Sequence, residues 1–274
     1  MSTRQPAVAG TFYPADPAAL AEAVDRLVAA VPVPDDDRLA AAYVVPHAGY
    51  RYSGPTAAHV YARLRRHAEA VRRVVLIGPA HRVPLAGCAV PTTDRWRTPL
   101  GTVPVDTATS ASLHRARLAV ADDAAHATEH SIEVQVPFLQ RVLRRRTPIL
   151  PICAGQSSPE AVQAVVEAVA GPGTVLLCST DFSHYLADAE ARRRDGQTAR
   201  AVLELAPERI GVGDACGRYA LRGLLAWARS HGGSPTQLAL NTSADTSGDP
   251  SRVVGYPAFA ISLGQPGLGE PGLG

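Results

Sequence analysis

Three strand-like apolar stretches in this chain run directly into a residue that can bind a metal or move a proton. They are the stretches that precede His47, His81 and Asp181, and a fourth stretch, at residues 149–153, ends without such a residue. In open parallel α/β sheets, ligands bind just outside the carboxyl ends of the strands. We therefore expect the three side chains to lie together at one edge of a sheet.

The alternation of strand-like and helix-like segments predicts one α/β domain over residues 1–263, with a mostly parallel central sheet flanked by helices. Residues 84–105 predict an antiparallel excursion, because short alternating stretches there are separated by Pro and Gly. A glycine-flanked loop at 48–54 is expected to precede a helix that starts at Pro55. The repeated Pro-Gly-Leu-Gly of residues 264–274 predicts a disordered tail.

Composition narrows the classes of function. The 27 basic and 25 acidic residues give a net charge of +2, so we expect neither a nucleic-acid nor a membrane partner. The four cysteines form no CxxC pair and the first residues lack an apolar signal segment, so a reducing cytoplasm is the expected location. No phosphate-binding loop or GxSxG motif is present, and the one GxGxxG match, at 267–272, lies in the repeated Pro-Gly-Leu-Gly segment outside any strand–helix pattern. Nucleotide and serine-hydrolase functions therefore have no support.

Two histidines on neighbouring strand ends can share one metal ion, since neutral imidazole is the commonest side-chain metal ligand. His47 and His81 with either Asp181 or His184 form such a set. Two imidazoles and a carboxylate with open positions suit non-haem Fe(II), and they also suit Zn(II). The zinc motif HExxH is absent.

Other residues are candidates for proton transfer or substrate contact. His130 lies just before a predicted helix, where a neutral imidazole acting as donor or base is as plausible as simple helix capping. Tyr50 and Arg51 follow His47 and could contact an anionic substrate, with loop packing as the alternative. Asp245 lies in a polar loop before the last strand, where such residues usually cap turns.

Several motifs in order along the chain together resemble the Memo family, whose prokaryotic members are often called AmmeMemoRadiSam system protein B. They are PAVAGTFYP at 6–14, PHAGY at 46–50, GPAH at 78–81, EHSIE at 129–133, STDFSH at 179–184 and CG at 216–217. The resemblance extends from residue 6 to about residue 263. The family is similar in fold to the class III, LigB-type extradiol dioxygenases.

The resemblance implies a non-haem iron site at which His47 and His81 are the metal-site histidines. It further implies that Asp181 and His184 line the same pocket and that His130 is the histidine of the EHSIE motif. The name of the prokaryotic group implies radical SAM and AmmeCR-type proteins as partners. Fe(II) is the expected cofactor, with Zn(II) or copper as the alternatives.

The chain departs from the animal Memo proteins in the loop before the last strand. Those proteins have a cysteine there that is implicated in metal binding, whereas residues 243–246 of this chain read Ser-Ala-Asp-Thr. An oxygen ligand, from Asp245 or Asp181, is expected to replace it, and the loss of a thiolate is expected to favour harder ions over copper. Cys216 matches a different family cysteine and is not expected to be a ligand.

Three functions remain open at this point. The first is a dioxygenase-like oxidoreductase that depends on Fe(II), with His184 or His130 as the base and an unidentified small-molecule substrate. The second is a Zn-dependent hydrolase on the same ligands, and oxygen consumption would separate the two. The third is a peptide- or anion-binding module with a vestigial metal site, which should bind its ligand equally well without metal.

Overall fold

The computed structural model describes residues 2–144 and 146–264. The strands of this part are β1 (Thr3–Arg4), β2 (Ala42–Val45), β3 (Arg73–Pro79), β4 (Cys88–Val90), β5 (Arg95–Thr98), β6 (Gly101–Pro104), β7 (Val120–Ala121), β8 (Ile149–Ala154), β9 (Thr174–Ser179), β10 (His184–Leu186), β11 (Gly233–Thr242) and β12 (Val253–Leu263). Its α-helices are α1 (Pro17–Ala29), α2 (Tyr50–Arg66), α3 (Thr107–Arg115), α4 (Ala124–Ala127), α5 (Val136–Val142), α6 (Pro159–Val169), α7 (Asp188–Leu203), α8 (Arg218–Ser230) and α9 (Ala244–Ser247). Short 3-10 helices span Glu133–Gln135 and Pro207–Arg209.

A mixed sheet forms the centre of the molecule. Its strand order is β10-β12-β2-β9-β3-β8-β4-β7, and β11 also pairs with β12. The four neighbouring strands β2, β9, β3 and β8 are parallel, while β12 and β4 join this block in antiparallel pairing on either side. The predicted fold class, an α/β domain with a central sheet flanked by helices, is confirmed.

Alternate residues of the central strands enter two separate hydrophobic cores, because successive side chains of a strand point to opposite faces of the sheet. In β2, Tyr43 and Val45 belong to one core and Ala42 and Val44 to the other. All four residues are fully buried. Strands covered on both faces need continuous apolar runs, which explains why this segment has no polar alternation.

Helices cover both faces of the sheet. On one face, α1, α2 and α5 contribute buried residues such as Leu20, Tyr61 and Phe138 to the core. On the other face, α6, α7 and α8 contribute residues such as Val162 and Leu224. The carboxyl edge of the parallel block is therefore held between two rigid layers, and the loops that leave this edge carry the polar residues.

The antiparallel excursion predicted for residues 84–105 is present. Strands β5 and β6 form an antiparallel hairpin, and β1 joins β5 to complete a small three-stranded sheet. Strand β4 pairs with β8 at the edge of the main sheet.

The start of α2 differs from the prediction. The helix begins at Tyr50, so the expected loop through residue 54 is wrong and Pro55 lies inside the helix. Proline has no backbone N–H, so Pro55 cannot donate a hydrogen bond to the carbonyl of Arg51. Arg51 lies in the first turn of the helix and is exposed. The loss is small there, and the first turn places Tyr50 in the core at 7% exposure.

Two further outcomes concern the carboxyl-terminal part. Strand β11 was missed by the sequence patterns, although its ten residues pair with β12 along almost its whole length. The predicted disordered tail lies outside the described residues, apart from Gly264. Within the described part of the chain, no helix combines the length and the apolar character that a bilayer crossing requires.

The contact between α6 and α8 yields a stability prediction. A Cβ atom at Gly223 would lie 2.3 Å from Cβ of Val162, so Gly223→Ala must force the two helices apart. We expect the free energy of unfolding to fall by about 1–3 kcal/mol in chemical denaturation. Gly196→Ala in α7 is the matched control, because a Cβ atom there would meet nothing within 4 Å. This change should raise the free energy of unfolding by up to about 1 kcal/mol, since alanine is the better helix former. Equal effects of the two changes would contradict this packing.

Candidate metal and proton-transfer site

Polar residues follow three adjacent strands of the parallel block at its carboxyl edge. His47 follows β2, Asp181 follows β9 and His81 follows β3, and β9 lies between the other two strands. The ring centroids of His47 and His81 are 5.3 Å apart. The structure therefore brings together the residues that the strand pattern singled out.

His47 is buried at 2% exposure, and its ring orientation is fixed by Ser179. Nδ1 of His47 lies 2.9 Å from the Ser179 hydroxyl, which donates its own proton to the carbonyl of Ser131 at 2.6 Å. The same hydroxyl accepts a bond from Nε2 of Gln135, whose amide is oriented by a second bond to the carbonyl of Pro46. Nδ1 of His47 must therefore be the donor, so its Nε2 carries the lone pair.

His81 is oriented by the carboxylate of Glu129. Nδ1 of His81 lies 3.0 Å from Oε1 of Glu129, and the backbone N–H of His81 donates to Oε2 at 2.5 Å. A carboxylate accepts, so Nδ1 of His81 carries the proton and Nε2 is left open. Carboxylate-bound imidazoles of this kind are the usual arrangement behind protein metal ligands.

Glu129 is nearly fully buried, and four N–H donors satisfy its carboxylate. Besides the two from His81, the backbone N–H groups of His130 and Ser131 donate to Oε1 at 2.9 and 2.8 Å. Burial alone would raise the pKa of Glu129, but the hydrogen bonds from His81 and from the backbone outweigh it and hold the pKa well below its ordinary value. The site thus contains one fixed negative charge.

Glu133 ties this turn to the amino-terminal segment. Its buried carboxylate pairs with Nη1 of Arg4 at 2.7 Å and accepts the hydroxyl of Tyr13 at 2.5 Å. The backbone N–H groups of Ala7 and Val8 donate to the same carboxylate.

His130 lies against both histidines. Its ring is stacked on His81 with centroids 4.8 Å apart and meets His47 edge-on at 5.4 Å. Burial lowers the pKa of His130 to about 4, with Glu129 opposing the shift, so the ring is neutral at pH 7. Its Nδ1 lies 3.3 Å from Oε1 of Glu129 but makes no hydrogen bond of good geometry within the described residues.

Cys216 also lies in this cluster, although it was not among the expected ligands. Its Sγ lies 3.3 Å from Nε2 of His47 and receives the backbone N–H of Asp181 at 3.3 Å. Donor atoms of His47, His81 and Cys216 all lie within 4.8 Å of one another. Gly217 permits this approach, because a Cβ atom there would lie 2.8 Å from Cβ of Thr180.

Asp181 lies on the same side of the pocket as His47. Its Oδ1 accepts the backbone N–H of His47 at 2.7 Å, and its Oδ2 is 4.0 Å from Nε2 of the same histidine. Burial raises the pKa of Asp181 to about 7, although backbone N–H donors oppose the shift. Asp181 is therefore divided between its protonated and ionised forms near neutral pH.

His184 contributes a third imidazole near His81. Its Nδ1 lies 2.8 Å from the carbonyl of Phe182, which can only accept, so the proton resides on Nδ1 and Nε2 is free. Burial lowers the pKa of His184, and the nearby His81 adds to the shift.

The remaining predicted residues lie elsewhere. Tyr50 is in the core, and its hydroxyl donates to the carbonyl of Val134 at 2.6 Å, so it is not placed to contact a substrate. Arg51 is exposed beside the ring of Tyr52. Asp245 binds Nη2 of Arg192 and the backbone N–H of Thr242, which is the turn-capping role, and it is not among the clustered donors.

A second cluster consists of His81, Glu129 and His130. The Glu129 carboxylate is already occupied by four N–H donors, two of them from His81. The first cluster brings the Cys216 sulfur together with His47 and His81, whose Nε2 atoms are not bound by Ser179 or Glu129.

Comparison with known proteins places the chain in a family. A family model described as Memo-like protein matches residues 4–260. MEMO1 family proteins of Methanopyrus kandleri and Methanosarcina acetivorans are 36% and 37% identical to it, over 95% of this chain and 99% and 100% of the relatives. The chain belongs to the Memo family.

A comparison with solved structures concerns the fold alone. An uncharacterized protein from Escherichia coli K12 matches this Memo-family chain with a TM-score of 0.52 and 13% sequence identity. The match covers 81% of this chain and all of that one, and it fits the LigB-like fold that the resemblance implies.

The raised pKa of Asp181 predicts a pH dependence of stability in the metal-free protein. The carboxyl group of Asp181 keeps its proton up to about pH 7 in the folded state, whereas it releases the proton at about pH 4 in the unfolded chain. The contribution of Asp181 to the free energy of unfolding should therefore fall as pH rises through that window. Asp181→Asn should remove this decline. At pH 8 the variant should be more stable than wild type by a few kcal/mol at most. The measurement is chemical denaturation of both proteins in EDTA across the pH range. Exposed Asp36→Asn is the control that should keep the wild-type profile.

Proposed function

We propose that this Memo-family protein is a metal-dependent oxidoreductase that binds non-haem Fe(II) through His47, His81 and Cys216. The observation that carries the proposal is the convergence of the three donor atoms within 4.8 Å at the carboxyl edge of the parallel strands. Ligands of such sheets bind at this edge.

The donor set fits a divalent transition metal. Both histidines present Nε2 to the cluster, because Ser179 sets the tautomer of His47 and Glu129 binds Nδ1 of His81. Preset tautomers of this kind favour binding, since a ligand nitrogen must be deprotonated. Glu129 also supplies a negative charge behind His81, which makes that ring a better donor.

Cys216 changes the expected metal preference. The absence of a cysteine from residues 243–246 suggested a set of hard ligands, but Cys216 supplies a thiol from another segment. Burial raises the pKa of this thiol to about 12, so its ionisation requires a bound cation and should release a proton. A thiolate with two imidazoles suits Fe(II), Zn(II) and copper, so the argument against copper no longer holds.

When bound, a metal ion at this site would lower the pKa of a coordinated hydroxyl or phenol, which prepares the substrate for oxidation. The protein supplies the groups that take up the released proton. His184 presents a free Nε2, and His130 is neutral at pH 7, so either can act as the base.

Asp181 is suited to reversible proton transfer at this site. A pKa of about 7 lets it accept and return a proton at neutral pH without a large energetic cost. Its Oδ2 also faces Nε2 of His47, so it is the oxygen alternative to Cys216 as a third ligand.

A zinc-dependent hydrolase is the second candidate, and the thiol is the observation that favours it. Cysteine and histidine together are common zinc ligands. Oxygen distinguishes the two candidates, because only the oxidoreductase should consume O₂ in the presence of an aromatic diol.

The proposal predicts the metal content of anaerobically purified protein. Wild type should bind about one Fe(II) per chain, and the double variant His47→Ala/His81→Ala should lose it, as measured by elemental analysis and Fe(II) titration. Cys216→Ser should weaken binding of Zn(II) and Cu(I) more than that of Fe(II), because oxygen is a harder donor than sulfur.

The matched control is the double variant His114→Ala/His231→Ala, which removes two exposed histidines. It should bind metal like wild type. If wild type and the His47/His81 variant take up neither Fe(II) nor Zn(II) at micromolar concentration, the proposal is wrong.

Ser179 provides a separate prediction about the tautomer of His47. Ser179→Ala leaves Nδ1 of His47 and the amide of Gln135 without their shared partner. We expect metal affinity to fall about 10–100-fold and the free energy of unfolding to fall by about 1–3 kcal/mol. The exposed serine of α3, in Ser112→Ala, is the control. Unchanged metal affinity in Ser179→Ala would show that this hydroxyl does not set the tautomer.

A further inference from the structure

The turn between β9 and β10 carries Asp181 and His184 to the pocket. The two residues between them, Phe182 and Ser183, are fully buried. Strand β12 binds the turn at Gly255, whose backbone N–H donates to the carbonyl of Ser183 at 2.9 Å and whose carbonyl accepts the N–H of Phe182 at 2.8 Å. The N–H of Ser183 is not bound by a strand, and a buried N–H needs an acceptor.

Asp195, in the middle of α7, supplies this acceptor. Its Oδ1 lies 3.0 Å from the backbone nitrogen of Ser183, and the residue is 1% exposed. The carboxyl group fits only because residue 255 is glycine, since a Cβ atom there would lie 1.8 Å from Oδ2 of Asp195. The turn is therefore held by a helix on one side and by a strand on the other.

The N–H of Ser183 and the carbonyl of Phe182 belong to the same peptide group. A peptide group is planar and trans, so its N–H and its C=O point in opposite directions. The carbonyl of Phe182 lies 2.8 Å from Nδ1 of His184. By holding the N–H of this group, Asp195 also fixes the direction of the carbonyl that accepts the Nδ1 proton of His184.

Packing alone does not account for a carboxyl group at position 195. Burial raises the pKa of Asp195, and hydrogen bonding to Ser183 offsets the shift only in part. Its Oδ2 makes no hydrogen bond of good geometry within the described residues, and the adjacent Arg194 pairs with Asp214 instead. A buried oxygen without a partner lowers stability, so the useful part of this side chain is the acceptor that it offers to the turn.

We infer that Asp195 is a positioning residue for His184 and that it acts through the Phe182–Ser183 peptide group. The inference rests on the proposed function at one point, namely that His184 is a base of the pocket. A base needs an unprotonated nitrogen, and the carbonyl of Phe182 keeps the proton on Nδ1 so that Nε2 can accept one. Without Asp195 the peptide group can rotate, and the ring loses the partner that sets its tautomer.

The test is the tautomer of His184 in metal-free protein at pH 8, where the ring is neutral because burial lowers its pKa. Long-range proton–nitrogen NMR spectra of protein labelled at histidine distinguish a protonated ring nitrogen from an unprotonated one. The spectrum of His184→Gln identifies which signals belong to this residue. Wild type should show a protonated Nδ1 and an unprotonated Nε2 for His184.

Two substitutions of Asp195 should give different spectra. In Asp195→Ala the two nitrogen signals of His184 should move toward each other, because the ring then exchanges between both tautomers. In Asp195→Asn they should return to the wild-type positions, because the amide oxygen can accept the N–H of Ser183. A residue that served stability alone would not move these signals.

Thr198→Ala is the matched control. Thr198 is another buried polar residue of α7, and its hydroxyl donates within the helix to the carbonyl of Arg194. This change should leave the tautomer of His184 as in wild type, even if the thermal midpoint falls. A second measurement needs no variant: in wild type, the N–H of Ser183 should exchange with solvent as slowly as the amides of β9.

The inference is overturned if His184 of wild type is not protonated at Nδ1, if the Ser183 amide exchanges rapidly, or if Asp195→Ala leaves the tautomer unchanged. It is also overturned if Asp195→Asn behaves like Asp195→Ala, or if Thr198→Ala shifts the signals as Asp195→Ala does. Fe(II) titration of the same proteins separates this result from the proposed function. An unchanged tautomer with intact metal binding removes the positioning role alone, whereas a wild type that binds no metal removes the proposed function and leaves the tautomer result in place.

Discussion

The buried carboxylate of Glu129 is the interaction on which the site depends. It accepts N–H groups from the side chain and backbone of His81 and from the backbone of His130 and Ser131, so one side chain connects two segments that are 48 residues apart. Hydrogen bonds to a buried charge are stronger than neutral ones, and losing one leaves the charge unpaired. Glu133, four residues later, fixes the amino-terminal segment to the same turn through Arg4. The turn is thus held from both sides before any ligand binds.

Much of the fold and part of the site could be predicted from local patterns. The uninterrupted apolar runs revealed the parallel strands, and the residues directly after them, His47, His81 and Asp181, meet because neighbouring parallel strands end at one edge. The strand β11 was missed because Gly233 and Pro235 and the polar residues around them obscure its alternation. Its position comes from pairing with β12, which is a tertiary effect that local propensity does not report.

The position of Cys216 could not be predicted from periodicity. It reaches the pocket from the turn before α8, and its approach depends on Gly217 packing against Thr180. The only signal in the sequence was the Cys-Gly pair just before a helical pattern. Asp245 shows the opposite case, since a carboxylate with suitable chemistry is held by Arg192 and Thr242 instead. Residue type was enough to name candidate site residues. Which of them lie in the site depends on contacts between segments that are distant in the sequence.

The unequal exposure of His47 and His81 has a consequence for the rate at which the proposed metal site would exchange its ion. His47 is sealed at 2% exposure, while the side chain of His81 is 28% exposed. At the proposed site an ion would approach from the His81 side, because that ring is the one in contact with solvent. Loading should follow the free metal concentration of the surroundings, and a small chelator should compete without a denaturant. The proposed centre would then exchange its ion with the surroundings after folding.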